Sequence, residues 1–374
     1  MNFRDTVRKL SISLLGIIFG FAVAAVIIAL QGKPIGSSMS ALLEGSFGSS
    51  FAVGNTLNKA APLLLVALGF ILANAAGLVS IGGEGQIFIG GTCAVAAGLA
   101  MSELPQPIPL ICALIAGFIG GGFWSAIAGW LRARLGVNEV IATLLLNYIA
   151  LNITEYVVDQ KWLLRDGDAE PQSRELPGSA RLGRLLPDST SQLHLGVIIA
   201  VVAAVAVWFI LRRTVPGFRI RMLGKNPQVA ARNGVSLRSM SVGVMFGAGG
   251  LAGLAGTSML LGEQYRLRPG FSPGYGFDGI AVALIANNNP MAAIPAAILF
   301  GALRAGGNLL EAQVQVPQAL VIVIQGTIIF AVAGMAYVQK RVRTPVVAAD
   351  PPSNDCVDSI DSSPPVTPVT AAAR

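Results

Sequence analysis

The chain has 374 residues, of which 53% are hydrophobic and only 12% charged, with 44 glycines and a net charge of +7. Soluble chains carry roughly 25% charged residues, so this composition excludes an ordinary soluble domain and indicates an integral membrane protein. The positive balance is not a nucleic-acid signature either, because the basic residues stand between apolar runs, where they orient a chain in a bilayer.

A helix of about 20 apolar residues crosses the roughly 30 Å hydrocarbon layer. Candidate spans fall at 11–30, 60–80, 85–101, 108–131, 139–158, 193–211, 239–261, 276–288, 291–309 and 317–338. The first follows Arg4, Arg8 and Lys9 and is long for a signal-peptide core, so it reads as a retained anchor. The eighth and ninth are short and broken by Asn287-Asn288-Asn289-Pro290; a re-entrant pair is the alternative. The expected fold is all-α: a polytopic membrane protein of about ten transmembrane helices, two of them short or re-entrant.

The parity is even, so both termini share a side. With the N-terminus inside, 15 basic residues fall on the inner face and nine on the outer. The positive-inside rule then places both ends in the cytoplasm. It also places the 212–238 loop inside and the 160–192 loop outside, the latter as a small cap. A transmembrane domain is expected over 1–343. The Pro-, Ser- and Ala-rich stretch at 344–374 is too poor in buriable apolar surface to fold and reads as a disordered cytoplasmic tail.

The 212–238 loop holds seven basic residues and no acid. Within it, Asn226-Pro227 has the chemistry of an N-cap followed by the first helical position. Gly234 sits where a glycine stop belongs. A helix this short is marginal alone and needs something to pack on. It reads either as a solvated topology determinant or as a docking element for a soluble partner. Its candidate docking residues are Gly224, Asn226, Pro227, Ala230, Ala231, Arg232 and Gly234.

Glycines recur every third residue at Gly247, Gly250, Gly253 and Gly256, with Gly249 and Gly253 as a GxxxG pair. Small residues let helix backbones approach closely in lipid, so a compact bundle follows. Ionisable residues inside a membrane are costly. Glu84 and Asp278 each stand beside glycine at an expected helix break. Such an acid either caps a helix N-terminus or faces a polar pathway lined by broken helices. The two occupy comparable places in the two halves of the chain, which suggests a distant internal repeat of about five spans. Asn74, Gln86, Asn138, Glu139, Asn147 and Asn287 join them as candidates for a translocation path, with Arg304, Asn308 and Glu311 behind. Arg304 and Glu311 are two turns apart on one face, spaced to pair through a neighbour or a water.

Catalysis has no support: no Ser/His/Asp set, no paired carboxylates in a soluble cleft and no GxxxxGK[ST] loop. Cys93, Cys112 and Cys356 lack metal or disulfide spacing. The single histidine, His194, opens an apolar run and is expected to be a solvated interfacial residue.

Four segments together resemble a known family: GLVSIGGEGQIFIGG (Gly77 to Gly91), GVNEVIATLLLNYIA (Gly136 to Ala150), RMLGKNPQVAARNGVS (Arg221 to Ser236) and GYGFDGIAVALIANNNP (Gly274 to Pro290). They are similar to the permease subunits of bacterial ABC importers for nucleosides and simple sugars, within the branched-chain amino acid/ribose-type permease family. The resemblance covers about residues 10–340, and its first two motifs are those of the nucleoside-like branch. It implies about ten helices, a second permease subunit (identical or homologous), a cytoplasmic ABC ATPase and an external substrate-binding protein. ATP would be used by that ATPase, with no cofactor bound by the permease itself. Leu223 to Gly234 is similar to the family's coupling helix. Two departures stand at Ile81-Gly82-Gly83, where the family commonly shows Asn-Ile-Gly, and at Asn287-Asn288-Asn289. An ion-driven secondary transporter and a non-transport membrane scaffold remain open as rivals.

Overall fold

The computed structural model describes residues 18–334 except 21, 24, 31, 161–169, 186–190, 316–319, 329, 332 and 333. The N-terminal basic residues, the tail from 344 onward and Cys356 lie outside the described residues. Among the described residues the chain is helical, with one isolated β-bridge between Arg184 and His194. The helices are α1 (Ile18–Leu30), α2 (Ile35–Phe47), α3 (Ser50–Ala75), α4 (Gly83–Ala100), α5 (Ile108–Leu135), α6 (Glu139–Asp159), α7 (Gly196–Arg213), α8 (Val215–Lys225), α9 (Pro227–Arg232), α10 (Leu237–Met259), α11 (Tyr275–Ile285) and α12 (Pro290–Val314). Residues 320–328 are also helical. Among the described residues, six helices are long and apolar enough to cross a membrane: α3, α5, α6, α7, α12 and α10 with its π-helical extension to Gln264.

Three expectations about the helices need correction. Helix α2 was not foreseen; its four serines and Glu44 dilute the apolar signal. The second span starts at Ser50 rather than 60, because Ser49 caps it by accepting from Ala52 N–H. It stops at Ala75 rather than 80, because the chain turns at Gly77 with φ +72°. The ninth span is not short. At 25 residues α12 is full length, and its internal Arg304 is tolerated because Asp278 neutralises it.

Helices α3 and α10 form the buried centre, while the apolar faces of α5, α6 and α7 are largely uncovered. Around them α5 and α4 grip α10, and α12, α11 and α7 close on α3. The grip is made backbone to backbone. A Cβ on Gly253 would strike the Gly117 carbonyl of α5, and one on Gly90 of α4 would strike Gly253 Cα. This is the small-residue packing expected where no hydrophobic effect drives helices together.

The two ends of the bundle differ. At one end, residues 170–185 and 191–195 fold over the exit of α10. Ser173, Leu176 and Leu182 donate their backbone N–H groups to Leu267, Tyr265 and Leu261 carbonyls at 2.9 Å each. Glu175 takes Arg181 and Arg266, and these two cations hold its carboxyl below the usual range. His194 belongs to this capped end. It is 2% exposed, not solvated. Its Nδ1 accepts from Gly196 N–H at 3.1 Å, its own N–H donates to Asn58, and burial pushes the imidazole down to about 4. The opposite, basic end carries α8, α9 and the arginines at the end of α5.

Candidate functional site

The functional geometry begins with a stretch of unwound backbone. After Gly77 the chain runs without helix from Leu78 to Gly82 before α4 starts. Backbone polar groups in a bilayer need partners inside the protein. One face of α6 supplies them. Glu139, Thr143 and Asn147 recur every four residues and so stack on one side of that helix. The Glu139 carboxylate accepts from Val79 N–H at 3.3 Å, and Thr143 Oγ1 accepts from Ile81 N–H at 3.2 Å. Asn147 accepts from Gly85 N–H and donates to Ile81 carbonyl, both at 2.9 Å. Glu139 is itself paired with Arg132. Thr143 was not singled out from the sequence, although its register between Glu139 and Asn147 is a usable signal.

A second interruption precedes α11. The chain leaves α10 through a π-turn, closed by Tyr265 N–H onto Leu260 carbonyl, and runs unwound to Gly274. The starts of α4 and α11 then meet level with Val66, midway along α3: a Cβ on Gly83 or on Gly279 would abut Val66. Glu84 lies in the first turn of α4, yet its carboxylate serves the other helix. Oε1 accepts from Gly274 N–H at 3.1 Å and Oε2 from Gly276 N–H at 2.6 Å. The acid thus occupies the positive end of α11, where free amide donors favour an anion. Gly276 is required there, because a Cβ would collide with the Glu84 backbone.

Asp278, one turn into α11, has a different partner. Arg304 of α12 donates Nε and Nη2 to Asp278 Oδ2 at 3.0 and 2.7 Å, and Nη2 also reaches Pro273 carbonyl at 2.8 Å. The guanidinium lies 4.0 Å from the Tyr275 ring centroid. The expected pairing of Arg304 toward Glu311 is therefore replaced by Asp278, which is nearer in space though 26 residues away in sequence. Glu311 is exposed.

The remaining candidates are spread out. Gln86 is buried and donates to Ser80 Oγ at 3.4 Å. It borders a cavity of about 10 Å³ shared with Val66, Phe70, Ala252 and Ile280, far below the roughly 300–1,000 Å³ of small-molecule sites. Asn138 caps α6 by accepting from Val140 N–H. Asn74 sits in the last turn of α3. Asn287 and Asn288 take left-handed φ values of +51° and +55° in the α11–α12 turn, a conformation asparagine tolerates. Asn289 then caps α12. The structure brings together Glu84, Asp278 and Arg304 around the start of α11, and Glu139 and Asn147 along the unwound segment. It does not bring Asn138 or Asn287 to that centre.

At the basic end, α9 forms with the cap read from sequence: Asn226 Oδ1 accepts from Gln228 and Val229 N–H at 3.0 and 3.1 Å, and Gly234 has φ +75°. Val229, Ala231 and Arg232 are exposed. Ala230 is fully buried within this chain and so not available to a partner, and Val235 N–H folds back onto its carbonyl at 3.1 Å. Gly224, at the end of α8, rests directly on the Gly77 turn: a Cβ on Gly77 would meet Gly224 Cα at 3.2 Å.

Comparison with known proteins follows the same lines. Residues 52–333 match the family described as branched-chain amino acid transport system / permease component. The guanosine ABC transporter permease protein NupP of Bacillus subtilis is 38% identical, over 87% of this chain and 94% of its own. The nucleoside ABC transporter permease protein NupB of Lactococcus lactis is 33% identical over 87% and 91%. The glucose ABC transporter permease protein TsgB13 of Haloferax volcanii is 32% identical over 81% of each. No solved structure gives a significant match. With three quarters of its length matched, the chain belongs to the branched-chain amino acid transport system permease family, as the membrane-spanning permease subunit of an ABC transporter.

Proposed function

We propose that this permease subunit imports nucleosides or related simple sugars, passing them between two permease subunits by alternating access and taking its drive from a cytoplasmic ABC ATPase. The observation that carries the reading is mechanical. An exposed, capped short helix, α9, continues from α8, whose last turn touches the Gly77 turn. Five unwound residues lead from that turn to the start of α4 and Glu84. A displacement of α9 is thereby delivered to the junction of the two interrupted helices. The small size of the cavity beside Gln86 favours a path along the outer surface of α11 rather than through one subunit. That surface carries exposed Phe277 and Leu284 and the partly accessible Asp278–Arg304 pair.

In this reading about ten spans make the subunit, α11 enters about halfway, and the matching starts of α4 and α11 descend from an internal repeat. The basic end is cytoplasmic, both termini lie on that side, and the capped end faces an external substrate-binding protein. Nucleosides are preferred over other cargo because two of the relatives are named for nucleoside or guanosine transport. The family assignment displaces the ion-driven and scaffold alternatives.

The test enlarges the docking surface without touching the bundle. Ala231 is exposed, so Ala231→Trp spares this chain's own packing and overfills a partner cleft. Overpacking costs about 1–3 kcal/mol, equivalent to a roughly 5- to 150-fold loss of partner affinity. ATPase co-purification and nucleoside-stimulated hydrolysis in reconstituted vesicles are expected to fall at unchanged permease level. Wild-type behaviour in both assays removes α9 as the energy inlet.

A further inference from the structure

A groove of about 460 Å³ runs between α5 and α10 at the basic end, walled by Ala126, Trp130, Val242, Gly243 and Phe246 and closed at one end by Arg134, Arg238 and Ser239. Its two parts differ in chemistry. The wall is apolar, with Trp130 half exposed. The mouth carries two exposed guanidiniums, and among the described residues neither meets an acidic side chain. The α10 wall from Arg238 to Phe246 is about 12 Å long at 1.5 Å per residue, most of the roughly 15 Å depth of one leaflet.

Gly243 forms part of that wall. Glycine weakens a helix interior relative to alanine, and the other glycines of α10 from Gly247 to Gly256 each meet a neighbour that a Cβ would crowd. A Cβ on Gly243 would meet nothing within 4 Å. No packing partner within the described residues accounts for this glycine, and its effect is to widen the groove.

We propose that this groove holds one anionic phospholipid, its phosphate between Arg134 and Arg238 and one acyl chain along Trp130, Gly243 and Phe246. Charge complementarity selects this occupant. The site joins two cations to an apolar trough at the level where helix ends become basic, which is the layout of an amphiphilic anion. A protein helix seated in the same trough would need an acid of its own at the level of the arginines. Occupancy would tie the ends of α5 and α10, and hence the start of the segment after α9, to the lipid composition of the membrane.

Trp130 reports on the site directly. The chain has four tryptophans, and Trp124→Phe, Trp162→Phe and Trp208→Phe leave Trp130 as the sole emitter in the full-length protein. The protein is reconstituted in phosphatidylcholine vesicles containing a minor fraction of phosphatidylglycerol, with bromine on the acyl chains of one lipid or the other. At equal brominated fraction, phosphatidylglycerol is expected to quench Trp130 more than phosphatidylcholine. Each basic residue strengthens anionic-lipid binding by roughly five-fold, so Arg134→Gln with Arg238→Gln is expected to lower the preference by about 25-fold. Gly243→Leu fills the trough and is expected to reduce quenching by phosphatidylglycerol with both arginines in place. Equal quenching by the two lipids overturns the proposal, as does a preference that survives loss of both arginines. Protection of Trp130 from both lipids also overturns it, since a second subunit or another segment of this chain then covers the groove.

Discussion

Glu84 and Asp278 carry the same local signature, an acid next to glycine in the first turn of an apolar helix, and the fold uses them in opposite ways. Glu84 is sealed in at 8% exposure and spends both carboxylate oxygens on backbone N–H groups of the other interrupted helix. Asp278 is held by a side chain, Arg304, and the pair keeps 15% and 11% of its side-chain surface accessible. One acid is a pin between two helix starts; the other forms half of a charged pair that reaches the surface of α11. An acid beside a glycine break therefore has at least two uses in this fold. What discriminates is whether its oxygens are consumed by backbone or by a group that can exchange them.

That contrast is open to attack at several points. The largest effect is expected from Arg304→Met, which leaves Asp278 without its cation; breaking a buried pair costs about 3–5 kcal/mol, and the partial exposure of this one places it toward the lower end. Thermal unfolding of the purified subunit in detergent measures it, and Asp278→Leu combined with Arg304→Met should recover most of the loss. A harmless single variant would mean the pair holds nothing in place. Next is Glu84→Gln. The amide keeps one acceptor but turns NH2 toward a second N–H donor, and an unsatisfied buried donor costs about 1–3 kcal/mol. Uptake per folded molecule is expected to survive in Glu84→Gln and to fall in Asp278→Asn. Equal uptake defects, normalised to folded protein, would erase the distinction. The smallest effect is expected at Gly243, and Gly276 is its counterpoint. Gly276→Ala drives a methyl into the Glu84 backbone at about 1–3 kcal/mol, whereas Gly243→Ala, facing open space, should gain up to about 1 kcal/mol from helix propensity. Opposite shifts in unfolding temperature are the expected readout.

Local chemistry was legible and long-range partnership was not. Asn226-Pro227 with Gly234 specified α9, because capping is decided within a few residues. The spacing of small residues called for a compact bundle, and α10, which carries them, lies at its buried centre. Helix α2 and the first turns of α3 escaped a hydropathy reading, since Asn55, Asn58 and Lys59 look like a loop until one sees Asn58 binding Gln192 carbonyl at 2.8 Å and receiving His194 N–H. His194 was misjudged for the same reason: its burial is made by the segments that fold over the capped end. Glu84 could be placed at a helix start from sequence, but the helix it caps begins 191 residues later. Glu139 and Asn147 were read as candidates for a translocation path. Their work as amide partners for an unwound strand depends on Thr143 and on a register that only the packed pair of segments defines.

The dependence of the 78–82 segment on α6 also has a temporal side. Ile81 and Gly85 leave the ribosome 62 residues before the Thr143 and Asn147 groups that satisfy them. At synthesis rates of about 5–20 residues per second, that is a wait of roughly 3–12 s. Glu84 waits for Gly276 over 192 residues, roughly 10–40 s at the same rates. During that time neither the unwound strand nor the carboxylate has its native partner, and bare lipid offers no substitute. The stretch from Leu78 to Gly85 is therefore expected to stay beside water or the insertion machinery while α6, and then α11, are made. Release of this stretch into the bilayer is therefore expected to follow the arrival of its partners rather than its own hydrophobicity alone.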